Sequence, residues 1–140
     1  MSKAILLLAL FITFVPRTHA QQPGPDPIAE NLFAPELIMR HATDIGIDKR
    51  QRTAIKDAIQ KAQSRFMDLQ WDMQSESERM VRLLKARPVD EAVVLAQADR
   101  VMGLEREIKR AHLSLLVRIK NLLTATQQDK LMALRRKPSS

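Results

Sequence analysis

Beyond residue 48 the apolar residues return in alternating steps of four and three. Ile55, Ile59, Ala62, Phe66, Leu69, Met73, Met80 and Leu83 form one series, broken only by Glu76. Val94, Ala98, Val101, Glu105, Ile108, His112, Leu115, Ile119 and Leu122 form a second. This spacing is the heptad seam of a helix packed along another helix. Pro88 lies between the two series and disfavours a helical residue before it, so the first long helix stops near Arg87. Asp90 caps the second, which runs to about Leu122. A short turn at Pro88 makes the two helices antiparallel. Each arm is roughly 50 Å long at about 1.5 Å per residue. Folding the seams together sets Leu69 near Ile108, Phe66 near His112 and Ile55 near Leu122.

The flanks carry helix boundaries of their own. Pro35 opens a short helix in the favoured first position, and Gly46 closes it as a left-handed cap. Asp48 and Gln51 then form a capping-box pattern at the start of the first long helix, and Thr124 and Gln127 repeat it before a last short helix. That helix carries Leu131 and Leu134 and ends before Pro138. Asp57–Lys61 and Glu78–Arg82 are favourable pairs four residues apart. With three glycines in the chain and no alternating strand pattern, the fold class is all-α: a long antiparallel helical hairpin with short flanking helices. The helical domain covers 35–136, and 137–140 is a C-terminal tail. Pro23, Gly24, Pro25 and Pro27 make 21–34 a flexible N-terminal tail.

A hairpin this thin leaves apolar surface uncovered. Between Ala111 and Leu123 the second arm is apolar nearly all round, and Met67, Trp71 and Val81 lie off the seam of the first. An exposed tryptophan there is a contact surface, so a homodimer, a partner protein or both are expected. Arg65, Arg106 and Arg110 add basic groups to the candidate surface.

The first residues alter what counts as the folded protein. Lys3 precedes an apolar run from Ala4 to Val15, Pro16 and Arg17 end it, and Thr18-His19-Ala20 finishes on a small residue. This is the layout of a secretory signal peptide, 1–20, cleaved after Ala20. The run is shorter than the roughly 20 residues of a spanning helix, so no stable membrane insertion is expected after cleavage. Without Lys3 and Arg17 the 23 basic residues become 21 against 16 acids, a net +5. The charges are interleaved, as on a solvated helix face, and nucleic acid is not an expected partner. The chain has no cysteine, which removes disulfides, thiolate nucleophiles and zinc–thiolate sites together.

No catalytic constellation stands out and no cofactor motif is present, so the chain does not read as an enzyme. Ser114 is the lone serine of the second arm, Glu105 and Glu107 point to different faces, and no glycine-rich phosphate loop occurs. Met39, His41 and His112 are the weak candidates for metal ligation. Met39 and His41 fall on different sides of one helix, and His112 reads as a histidine at the edge of the core beside Phe66.

Leu123-Thr124-Ala125-Thr126-Gln127 resembles the Leu-Thr-x-x-Gln motif of the Spy/CpxP family, small periplasmic helical proteins that include stress chaperones and heavy-metal sensors. The earlier copy, Ile47-Asp48-Lys49-Arg50-Gln51, keeps the apolar first residue, a capping oxygen and the glutamine. Leader, short helix, motif, long hairpin, motif and short helix follow the family order. The resemblance implies a cradle-shaped homodimer that binds unfolded proteins loosely and without ATP, or an envelope-stress adaptor, with a membrane sensor protein among the partners. The alternative it implies is a periplasmic heavy-metal resistance or sensor protein regulating a membrane signalling system. In the nickel and cobalt sensors a His and a Met four apart precede the second motif. Those positions are Leu115 and Ile119 here, which counts against that kind of sensing.

Overall fold

The computed structural model describes residues 26–136. The expected signal peptide 1–20 with its cleavage site, the tail residues 21–25 and the C-terminal tail 137–140 lie outside the described residues. The helices in order are α1 (Pro27–Glu30), α2 (Pro35–Arg40), α3 (Lys49–Leu84), α4 (Glu91–Leu122) and α5 (Ala125–Arg135), and no strand occurs among the described residues. The two long helices pack along each other as an antiparallel hairpin.

The boundaries follow the local chemistry. Asp48 accepts from the backbone N–H of Gln51 at 2.7 Å, and the Gln51 side chain accepts in return from the N–H of Asp48 at 3.2 Å. Asp90 caps α4 through the N–H of Val93 at 3.1 Å. Ahead of α3 the chain turns through Gly46, whose φ of 72° lies in the left-handed region. The N–H of Ile47 donates to the carbonyl of Ala42 at 2.9 Å and that of Gly46 to Thr43 at 3.1 Å, the paired bonds of a Schellman motif. The helix expected from Pro35 to Gly46 is thus interrupted. Regular α2 ends at Arg40, and 41–46 is a run of turns that closes on that motif.

The core sits at the open end of the hairpin. Phe33, Ile38, Ile45, Ile55, Leu115, Ile119, Leu123 and Leu131 form one buried cluster, with Leu37, Ile59, Phe66 and Leu122 packed against it. The segment after α1, α2, the 41–46 turns and α5 all contribute to it, because two helices alone bury only one stripe each. Towards the Pro88 turn the seam thins to Leu69 and partly buried neighbours. Phe66 meets His112 at 6.3 Å between ring centres, which is the register read from the two seams.

Three expectations need correction. Residues 26–34 are not a tail: Asp26 caps α1, and Phe33 is completely buried in the core. Burying a phenylalanine is worth about 1.5–3 kcal/mol, enough to hold a proline-rich segment in place. Asp57–Lys61 closes at 2.9 Å, but Glu78 accepts from Gln74 at 3.1 Å instead of pairing with Arg82. Finally, Glu76 is no gap in the seam. Gln97, 2% exposed, donates to both the backbone carbonyl and the carboxylate of Glu76. A polar crosspiece therefore fixes the register of the two long helices where apolar packing is thinnest.

Candidate functional site

The two motifs meet at the open end. Gln51 and Gln127 face each other as a reciprocal amide pair: Gln51 Nε2 donates to Gln127 Oε1 at 2.8 Å, and Gln127 Nε2 donates to Gln51 Oε1 at 3.0 Å. Each amide also donates to the carbonyl just before the other motif, Gln51 to Leu122 at 2.9 Å and Gln127 to Gly46 at 3.1 Å. Each oxygen also accepts from the cap of its own helix, Asp48 or Thr124. Both glutamines thus use two donors and two acceptor positions, which is the full capacity of a primary amide. The arrangement has local two-fold symmetry: each capping box closes its own helix and clasps the other. Ile47 and Leu123 pack inward beside it, Leu123 in the core and Ile47 against it.

A second tie holds the N-terminal segment. The Arg135 guanidinium donates to the carbonyls of Ala29, Glu30 and Leu32 and lies 5.3 Å above the Phe33 ring. Lys120 Nζ donates to the carbonyl of Asn31 at 2.8 Å. The segment becomes one wall of an open groove of about 1080 Å³. Leu32, Leu37, Ile59, Phe66, Leu115 and Leu116 supply its apolar surface, with Asp26, Glu30, Glu36 and Lys56 at its polar margins. This groove is not legible locally, because 26–34 reads as loop and only the burial of Phe33 brings it onto the hairpin.

The candidate contact residues fall in three places. Trp71 is 67% exposed and Met67 60%, on the side of α3 opposite its seam, with Val81 half exposed about 15 Å further along. Arg106 and Arg110 lie on α4, beside Met102, Lys109 and Leu113 in a shallow depression to which α3 contributes nothing. Arg65 is apart from both, near Glu107 across the hairpin at 3.9 Å. The six residues are therefore not one patch. Exposed Leu95, Met102, Leu113 and Val117 extend the apolar surface of α4 as a stripe down one side of the helix.

Compared with known families, residues 4–130 match the family described as heavy-metal resistance. The chain belongs to that family. It is a Spy/CpxP-like family, as the paired motifs indicated. No match was found among curated proteins or among solved structures.

The family's description calls for a test of the donor set. Among the described residues no three His, Cys, Asp or Glu side chains converge on one point. His41 Nδ1 lies 3.0 Å from Asp44 Oδ2, and the His112 ring sits tilted beside Phe66. Met39 and His112 both line the groove, while His41 does not. A nickel, cobalt or zinc centre needs several such donors aimed at one ion, and these residues do not fit one. No described helix is long and apolar enough to cross a membrane.

Proposed function

We propose that the protein is a periplasmic, ATP-independent chaperone-like protein or envelope-stress adaptor that binds other proteins through its helical hairpin. The observation that carries this reading is the exposure of Trp71 and Met67 on the outer side of α3, where neither belongs to the buried cluster. A tryptophan is the largest apolar side chain a protein has, and it stays on a surface at a cost in solubility unless it meets something. Methionine beside it adapts its shape to varied partners. Arg106 and Arg110 add positive charge next to Met102 and Leu113 on α4, which suits loose contact with acidic stretches of an unfolded chain.

The leader supports export and cleavage after Ala20, and the uncovered apolar surface supports a homodimer. In the adaptor form of this reading the partner is a membrane sensor protein. No catalysis and no cofactor enter the mechanism. The hairpin offers two apolar surfaces, holds its shape through the glutamine clasp, and releases its client by weak binding rather than by a chemical step.

Trp71 is the only tryptophan of the chain, so its emission reports the contact directly. Titration with a denatured protein that contains no tryptophan shifts the emission to shorter wavelength and saturates. Emission that stays unchanged while the client remains soluble places the contact elsewhere and overturns the assignment of Trp71. The family description favours a second reading, a metal-responsive regulator. The same titration with a chelator separates the two, since only the second depends on metal.

A further inference from the structure

The groove at the open end differs in charge from the rest of the molecule. The chain as a whole is basic, with a formal net charge of +7. Yet Asp26, Glu30 and Glu36 all come from the N-terminal segment and its helices to the margin of the groove, where Lys56 and Arg135 are the only cations. None of the three carboxylates enters an ion pair among the described residues. Arg135 is already engaged with the carbonyls of Ala29, Glu30 and Leu32. The floor is apolar, from Leu32, Leu37, Ile59, Phe66 and Leu116. At about 1080 Å³ the groove is slightly larger than most ligand pockets, about 300–1000 Å³, and it is open to solvent. That shape suits the apolar side of a short helix better than a compact small molecule.

We propose that this groove docks a cationic amphipathic segment of a partner protein, with its apolar side chains on the floor and its basic residues against Asp26, Glu30 and Glu36. The proposal rests on the protein-binding reading above and adds a second site with a different preference. The Trp71 and Arg106–Arg110 surfaces tolerate many clients, whereas the groove selects for positive charge.

The test uses the chain from Gln21 onward, which keeps every residue of the buried core. Two labelled amphipathic peptides of equal length and apolarity are titrated by fluorescence anisotropy, one of leucine and lysine, the other of leucine and glutamate. The net positive protein attracts the glutamate peptide non-specifically, so any preference for the lysine peptide reports the groove. The proposal expects the lysine peptide to bind more tightly. Glu30→Gln with Glu36→Gln should weaken it about fivefold, two exposed charge pairs at roughly 0.5 kcal/mol each. Leu116→Gln should weaken both peptides, and circular dichroism confirms that each variant is folded. Equal binding of the two peptides, or a double variant that binds as the parent does, overturns the proposal. Trp71→Ala separates the two sites: it leaves lysine-peptide binding intact even if client protection is lost, and a loss of both means that the groove is not an independent site.

Discussion

Gln127→Ala tests whether the motif glutamines are structural. The substitution removes a side chain that is 7% exposed and makes four hydrogen bonds. Three groups then lose a partner: the N–H of Thr124, the carbonyl of Gly46 and the amide of Gln51. Water reaches the first readily, since Thr124 is exposed. The other two are partly buried, and a buried polar group left without a partner costs about 1–3 kcal/mol. Thr124 still accepts from the N–H of residue 127, so the cap itself survives, and the two stranded groups set the expected destabilisation at about 3 kcal/mol. In a domain of this size that lowers the melting temperature by about 10 °C. Gln51→Ala breaks the same pair from the other side. The double variant therefore costs less than the sum of the singles, with a coupling of about 1–2 kcal/mol in a double-mutant cycle. Urea unfolding followed by circular dichroism measures all three. A Gln127→Ala cost below about 1 kcal/mol with strictly additive singles would refute the clasp.

Four further outcomes follow from particular contacts. Gln97→Leu strands the Glu76 carboxylate in the seam and costs about 1–2 kcal/mol, while adding Glu76→Leu to it restores an apolar seam and recovers the loss in the same denaturation assay. Arg135→Ala frees the N-terminal segment. Hydrogen exchange of residues 28–34 accelerates while that of the α3–α4 seam does not, and uniform acceleration would show the segment to be part of the global fold. Gly46→Ala places a Cβ at a φ of 72° where no atom lies within 4 Å, so its cost, about 1 kcal/mol, is purely conformational. Gly103→Ala has the opposite sign: its Cβ would meet only Arg106 at 4.0 Å in mid-helix, and the protein gains about 1 kcal/mol by thermal melting.

The parts of the fold that were legible in the sequence are those that repeat or that obey local rules. The four-three spacing identified both arms and their register down to the Phe66–His112 contact, and the caps at Asp48, Asp90 and Thr124 needed only their immediate neighbours. What escaped depends on partners far along the chain. Gln97 looks like an ordinary surface glutamine until Glu76 is opposite it. Arg135 looks like part of a basic end until the carbonyls of Ala29, Glu30 and Leu32 are folded beneath it. Residues 26–34 carry prolines and little periodicity, so the burial of Phe33 is set by the hairpin rather than by the segment. For the contact surface, spacing placed Met67 and Trp71 off the seam. It did not separate them from Arg65, because a helical wheel of one arm does not show which side Glu107 of the other arm occupies.

The central claim is that this hairpin holds other proteins through exposed apolar surface without nucleotide or metal. The most direct measurement is light scattering of a chemically denatured client diluted into buffer with the chain from Gln21 onward, without ATP, in the presence and absence of chelator, alongside Trp71→Ala. The account predicts suppression of aggregation at near-stoichiometric ratios, unchanged by chelator and weakened in the folded Trp71→Ala variant. Aggregation that proceeds as though the protein were absent, or suppression that vanishes with chelator, would contradict it.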